Sequence, residues 1–580
     1  MFSFNEERIL GTVQTVDTAS VVVEVSNIDQ LKHLQVNHLV ALQSSRAGES
    51  TVGIVQRIAR SLDQKAPISD AILEELSIIE APTINLVRVA LIGTLIGRVG
   101  AVKNVFRRTL ETVPDIGAPC VSIEGVDLSA FMSAVANVQE GEALYLGVYT
   151  LDDQAKAYLN ANKLLQRHAL IVGSTGSGKS YTIAHILEEM AKLQHPSAIV
   201  FDIHGEYGSL DGTNFDHMRI AGPADIGTER SLAQGVVHLP FWLLGYEAMV
   251  AMLTDRTDTN APNQAMALTQ AVLALKQETL RAGGQDDLAT EITIDSPIPF
   301  KASGLSASLE KLNEQRVPGA KAGTDKAGPL NDKLTRMLGR MSARLSDRRL
   351  GFLFSPPEET LDLKWLERLI SRLMVDTSTQ KRGIKIIDFS DVPSDVLPLI
   401  VSLVANVVFT VQQWREVNNR HPLALICDEA HLYIPAAADS GGSDQISVRS
   451  FERIAKEGRK YGVALLVVSQ RPSEVNKTVL SQCNNVIAMR LSNAEDQAVV
   501  RRALPDSLGT FADLLPVLDT GEAIVVGDAT LLPTRIRIAE PIQKPSGNTI
   551  PFWTRWNEEP VADDLPLAVA AWRRQSQGNS

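Results

Sequence analysis

Ile171-Val-Gly-Ser-Thr-Gly-Ser-Gly-Lys-Ser180 is the stretch from which the rest of the chain can be read. From Gly173 to Ser180 it follows the phosphate-loop pattern G-x-x-x-x-G-K-S without a mismatch. The residues before it, His168-Ala-Leu-Ile-Val172, are apolar and β-branched, as a buried strand requires. The residues after it, Tyr181 to Met190, have helical periodicity. Strand, glycine loop and helix in this order let backbone N–H groups close around phosphate oxygens, helped by the positive end of the helix dipole. Gly173, Ser174, Thr175, Gly176, Ser177, Gly178, Lys179, Ser180 and Tyr181 form the candidate nucleotide loop. Lys179 is placed to reach the β- and γ-phosphates of ATP, and the Ser180 hydroxyl to ligate Mg2+.

A metal-bound nucleotide needs carboxylates, and Ala424-Leu-Ile-Cys-Asp428-Glu429-Ala-His431 supplies them at the end of an apolar strand. That is the edge where α/β sheets bind ligands. Asp428 is the candidate Mg2+ ligand and Glu429 the candidate base for the attacking water. Val467-Val-Ser-Gln470-Arg-Pro472 ends the next strand, with Gln470 as a γ-phosphate sensor. Phe201-Asp202-Ile-His-Gly-Glu206-Tyr207 follows another strand; Asp202 and Glu206 either tune the metal and water network or fix their own loop. Transition-state charge calls for a further arginine. Arg453, Arg459 and Arg471 all lie near the right strands, and Arg459 is the candidate to act on a neighbouring subunit's nucleotide.

Strands and helices alternate from His168 onward, with apolar strands at 197–202, 384–388, 422–428, 463–469, 485–490 and 522–526. Such alternation implies a mostly parallel α/β sheet covered on both faces. A helix-rich insert at about 240–375 separates the second strand from the third. Within it Gly319 to Pro329 reads as a flexible loop. Arg336, Arg340, Arg344 and Arg348 then recur every four residues on one helix face, opposite Leu334, Met337, Leu338, Met341 and Leu345. A solvated face on a core-packed helix is the first reading of that stripe, and a phosphate-contacting one the second. Before all this, short β-branched segments at 10–16, 20–25, 52–58, 85–97 and 142–149 predict a small barrel. The expected layout is a barrel over 1–150, the α/β region over 151–540 and an extended C-terminal arm over 541–580. The arm carries Trp553, Trp556 and Trp572, which suit docking on a neighbouring surface.

Composition narrows the class less than the motifs do. A net charge of −12 argues against a generally basic nucleic-acid coat, but leaves room for a local basic channel. The apolar run 397–411 is broken by Pro398, Ser402 and Asn406 and falls short of a bilayer span, so no membrane role is expected. Cys120, Cys427 and Cys483 are too scattered for a disulfide framework or zinc site and fit a reducing cytoplasm. Ser440-Gly-Gly-Ser-Asp-Gln445 follows the Asp428-Glu429 pair, the wrong order for an ABC-type ATPase. Asn476-Lys477-Thr-Val479 lacks the aspartate of a guanine-reading N-K-x-D motif.

Taken in order, the β-rich start, Arg167 to Ser180, Asp202-Ile-His-Gly-Glu-Tyr207, Asp428-Glu-Ala-His431 and Glu457-Gly-Arg-Lys-Tyr-Gly462 through Ser469-Gln-Arg-Pro472 resemble HerA, of the HerA/FtsK branch of RecA-like ATPases. The resemblance spans almost the whole chain and is read as one to the bacterial type. It implies a HAS-type barrel, a RecA-like motor with a helical insert, and an arm reaching the next subunit. It also implies a hexameric ring that moves double-stranded DNA, with Lys179, Ser180, Asp428, Glu429 and Gln470 in the roles given above. Relatives work with a partner effector, a nuclease or a sirtuin-like NAD hydrolase, in DNA-end processing or anti-phage defence, and the barrel is the docking end. The segment from Ala436 to Arg449 is then expected as a mobile loop that offers Arg449 to a phosphate. An ATP-gated scaffold for a partner enzyme, with little translocation, is the alternative.

Overall fold

The computed structural model describes residues 2–26, 28–62, 83–97, 104–136, 141–228, 230–255, 257–318, 325–374, 383–437, 442–547, 550–558 and 565–574. The chain divides into two compact units: residues 1–189 with 484–541, and residues 190–483 with 542–580. Residues 319–324 of the expected flexible loop and 438–441 of the expected mobile loop lie outside the described residues.

The first unit begins with β1 (Ile9–Val16), β2 (Ser20–Val25), β3 (Leu39–Gln43), β4 (Glu49–Leu62), β5 (Thr83–Ile96), β6 (Val105–Arg107) and β7 (Pro119–Ser122). Antiparallel pairing runs β2-β1-β7-β3-β4-β5, and β5 returns to β2, so six strands close into a barrel, with β6 added to β5. Alternation drives the closure: Val21, Val23 and Val25 of β2 point inward with Leu10, Val40, Val55, Val87 and Val89. β8 (Ala143–Tyr149), which the sequence grouped with the barrel, lies outside this set of strands. β8 instead pairs with β9 (Asp152–Asn160). β10 (Ala169–Val172) and α1 (Lys179–Ala191) then flank the glycine loop.

The second unit holds β11 (Ala198–Asp202), β12 (Phe215–Ile220) and β13 (Val236–Val237), followed by the insert. The insert is helical as expected, with α2 (Ala261–Ala282), a hairpin of β14 (Arg316–Pro318) and β15 (Asp325–Ala327), and α3 (Thr335–Ser346). β16 (Ile384–Asp388), α4 (Leu397–Trp414), β17 (Leu423–Cys427), α5 (Ser443–Tyr461) and β18 (Val463–Ser469) complete it. The strands lie in the order β13-β12-β16-β11-β17-β18, every pair parallel. α4 is the long apolar helix of the unit, and Leu399, Ile400, Val401, Leu403, Val404, Val408 and Phe409 are buried, with α5 packed beside it.

The chain then returns to the first unit through β19 (Asn485–Ala488), β20 (Glu522–Gly527) and β21 (Thr534–Ile538). β19 runs parallel to β10, while β20, β21 and β8 follow antiparallel. Arg108 ties the barrel to this hairpin, donating to the carbonyls of Gly527, Thr530 and Leu531. The C-terminal segment holds two short helices, Phe552–Arg555 and Leu565–Arg574, where the sequence suggested an extended arm.

Two sequence expectations in the second unit are corrected. Helix α3 ends at Ser346, so Arg348 starts a separate 3-10 turn and leaves the stripe. The other three arginines pair with carboxylates: Arg336 with Asp258 at 3.8 Å, Arg340 with Asp255 at 2.6 Å and Arg344 with Asp395 at 3.3 Å. Arg449 belongs to helix α5 and not to a loop, because the glycine run ends at Gly442 and Ser443 begins regular turns. Its guanidinium sits 3.2 Å from Glu247.

Candidate nucleotide and catalytic sites

In the first unit β10 is buried along its whole length and delivers the chain into the loop. Gly176 and Gly178 take φ values of 74° and 109°, which L side chains rarely adopt. Glycines of this kind fold the backbone so that neighbouring N–H groups converge on an anion. A Cβ on Gly178 would also stand 2.9 Å from Cε of Met489. The return segment braces the loop. Ser174 donates through N and Oγ to the Arg490 carbonyl at 2.8 and 3.0 Å. Gly521 N donates to the Ser177 carbonyl at 3.0 Å, and Thr520 Oγ1 to that of Gly176 at 3.4 Å. Lys179 opens α1, is buried, and has Nζ 3.5 Å from the Ser174 carbonyl. Ser180 is half-buried, and Thr175 and Tyr181 are exposed. Gly173 and Ser177 are buried.

In the second unit β17 places Asp428 and Glu429 just past its C-terminal end. Asp428 is buried and accepts from Tyr207 Oη at 3.2 Å and from Glu429 N at 3.0 Å. Burial pushes its carboxyl up to about 8, with Glu429, Glu206 and Asp202 adding to the effect. A buried carboxyl crowded by other carboxylates gains most from a cation, and a hard oxygen donor suits Mg2+. Glu429 has left-handed backbone, φ 44° and ψ 45°. Its Oε1 accepts from Nε2 of Gln470, which follows β18. Its Oε2 is buried, accepts no hydrogen bond among the described residues, and lies 3.3 Å from Nδ1 of His431.

Asp202 uses its carboxylate as a turn clamp, accepting from the backbone N–H of Glu206 at 2.9 Å and of Tyr207 at 3.0 Å. Its pKa is raised, first by burial. Tyr207 therefore connects the Asp202 loop to Asp428, a link not read from the sequence, although the tyrosine closes the Asp202–Tyr207 motif. His431 and Ser469 are likewise newly seen, with Nδ1 and Oγ 3.3 Å apart.

Asp428, Glu429 and Gln470 come together at one strand edge. Arg459 does not join them: it is exposed in the last turn of α5, beside the start of β18. A strand the length of β18 spans about 20 Å, so Arg459 is remote from Gln470 of the same chain. Arg453 lies over the Phe409 ring and donates to Gln413, and Arg471 pairs with Glu474 at 2.7 Å.

Residues 144–408 match the family described as "Helicase HerA, central domain". The chain is 25% identical over 427 residues to the DNA double-strand break repair helicase HerA of Pyrococcus furiosus, covering 68% of this chain and 69% of that one. It is 25% identical over 461 residues to the protein of the same description from Sulfolobus acidocaldarius, covering 78% and 80%. Among solved structures it is similar to plasmid coupling protein TrwB in complex with ADP and Mg2+, with 15% identity, a TM-score of 0.45 and coverage of 74% of this chain and 94% of that one. Residues 144–408, which include the glycine loop, are thus similar to the central domain of HerA helicases, and the two relatives align over two thirds or more of both chains.

Proposed function

We propose that the protein is an ATP-hydrolysing translocase of double-stranded DNA that works as a hexameric ring. The observation that supports this best is the phosphate loop of the first unit together with the Asp428, Glu429 and Gln470 cluster of the second. In this reading Gly173 to Tyr181 hold the nucleotide, and the Lys179 ammonium neutralises the β- and γ-phosphates. Ser180 and Asp428 are the residues that would hold Mg2+, which would supply positive charge to the phosphate oxygens. Glu429 takes the proton of the attacking water, and the Gln470 amide reads the γ-phosphate. Arg459, exposed on α5, reaches the nucleotide of a neighbouring subunit. Arginines acting in this way are worth about 10³–10⁵ in rate. The barrel receives a partner effector, a nuclease or NAD hydrolase, in DNA-end processing or anti-phage defence. The setting is the cytoplasm, with no membrane involved.

One observation favours a second reading, an ATP-gated scaffold that activates a partner enzyme. The basic stripe of α3 is neutralised by Asp258, Asp255 and Asp395, which removes one candidate DNA contact. ATP hydrolysis with and without linear double-stranded DNA, at low and physiological salt, separates the two. A translocase is stimulated by DNA, and the stimulation falls steeply with salt as phosphate contacts are screened. Turnover indifferent to DNA at both salts leaves the scaffold.

A further inference from the structure

Glu429 has one carboxylate oxygen accounted for and one not. Gln470 Nε2 donates to Oε1, whereas Oε2 is buried without a hydrogen bond among the described residues. A buried polar oxygen left so costs free energy until a donor turns toward it. The imidazole of His431 stands beside it, with Nδ1 at 3.3 Å and the side chain only 16% exposed. The same Nδ1 is 3.3 Å from Oγ of Ser469. Ser469 is fully buried at the end of β18, and its Oγ accepts from the Arg471 N–H at 3.0 Å. A carboxylate cannot donate, so a hydrogen bond between the two requires the ring proton on Nδ1. In that tautomer Nδ1–H has two oxygens at 3.3 Å, Oγ of Ser469 and Oε2 of Glu429. Catalytic hydrogen bonds are often long or misaligned before substrate binds and tighten afterward.

We infer that His431 is a positioning residue: its Nδ1–H, steered by Ser469, clamps Oε2 of Glu429 while Gln470 holds Oε1, and so aims the base at water. This rests on Glu429 being the base, as argued above. The left-handed backbone of Glu429 turns its side chain away from the ordinary path past a strand end, so the carboxylate depends on these two neighbours for its aim. A misplacement of about 1 Å is enough to cost on the order of a hundredfold in rate.

The test is steady-state ATP hydrolysis and equilibrium nucleotide binding by the full chain. His431→Ala should lower kcat about tenfold or more, with KM and nucleotide affinity within about twofold of wild type. His431→Asn carries an amide N–H where Nδ1 stood and should recover most of kcat, whereas His431→Gln should not. In the Glu429→Gln background, His431→Ala should cause no further loss, because it acts through the base. Wild-type kcat in His431→Ala would overturn the inference. So would His431→Asn as slow as His431→Ala, or an additional loss in the double variant. Glu429→Gln that turns over at the wild-type rate would remove the base assignment and this inference with it. A dead Glu429→Gln beside a fully active His431→Ala removes the inference alone.

Discussion

Among the described residues, four other than glycine have positive φ: Asn37, His168, Asp332 and Glu429. Two of them border the candidate chemistry: His168 just before β10, and Glu429 itself. Left-handed backbone costs a non-glycine residue roughly 1–2 kcal/mol, so each is held by its surroundings. At Glu429 the neighbours are Asp428, Gln470 and His431, and the strain coincides with the proposed base. Lys179 is the simplest residue to test: Lys179→Ala removes the counter-charge of the phosphates and should weaken nucleotide binding by about a hundredfold in equilibrium titration. Unchanged affinity would remove Lys179 from the site. Lys276 is a different buried cation, in α2, donating to the Ile294 and Ser296 carbonyls at 2.6 Å each. Burial pulls its pKa down to about 8. Between that pH and the unfolded value of about 10.4, the unfolded chain binds a proton that the folded one has released. Stability therefore rises with pH across that window. The thermal midpoint of wild type should gain on that of Lys276→Met between pH 7.5 and 9.5. An equal gap at both pH values would show that Lys276 titrates normally.

At the scale of elements, α5 shows what was readable in the sequence and what was not. Glu457-Gly-Arg-Lys-Tyr-Gly462 was read as a motif without a mechanical reason. The reason is packing. A Cβ on Gly458 would stand 2.5 Å from the Val463 carbonyl, so the helix lies directly on the first turn of β18. Gly462 ends the helix in left-handed backbone, φ 74°. Gly458→Ala should cost about 1–3 kcal/mol, read as a lower unfolding midpoint. Gly339→Ala in α3, where an added Cβ meets nothing within 4 Å, should instead be neutral or stabilising by about 0.4–1 kcal/mol. β10, β11, β16, β17 and β18 were legible because each is a short apolar run ending at a chemical residue. β12 was not: Phe215-Asp-His-Met-Arg-Ile220 mixes charge into its alternation, and Asp216 pairs with Lys385 and Arg372, distant in sequence. The pairing of β8 with β21 was equally hidden, since no local pattern names a partner hundreds of residues away. Asp428, Glu429 and Gln470 could be read from strand ends. The contacts of Tyr207, His431 and Ser469 with them exist only after the sheet has formed.

At the scale of the whole molecule, the C-terminal segment is dense in large exposed apolar side chains. Trp553, Trp556 and Trp572 are each more than 70% exposed, with Phe552 and Leu565 also open. Large apolar surface left in water favours association. The residues before it are tied down: Ser546 donates to the Glu206 carbonyl, and Asp211 N–H to Gln543. A chain ending at Ile550 keeps those bonds and loses the aromatic groups. It should form smaller assemblies than the full chain by light scattering while binding nucleotide as before. Equal assembly size would assign the arm another task. The discontinuity of the first unit has a consequence in time. The strand beside β10 and the turn that braces the phosphate loop, β19 and Thr520-Gly521, come from the far end of the chain. At about 5–20 residues per second, the ribosome takes on the order of half a minute to travel from α1 to β21. Throughout that interval the nascent protein holds a glycine loop with no braces around it. Competence to bind nucleotide in the mature manner is therefore deferred until the segment from β19 to β21 has been made, and a product interrupted before it lacks the braces of the phosphate loop.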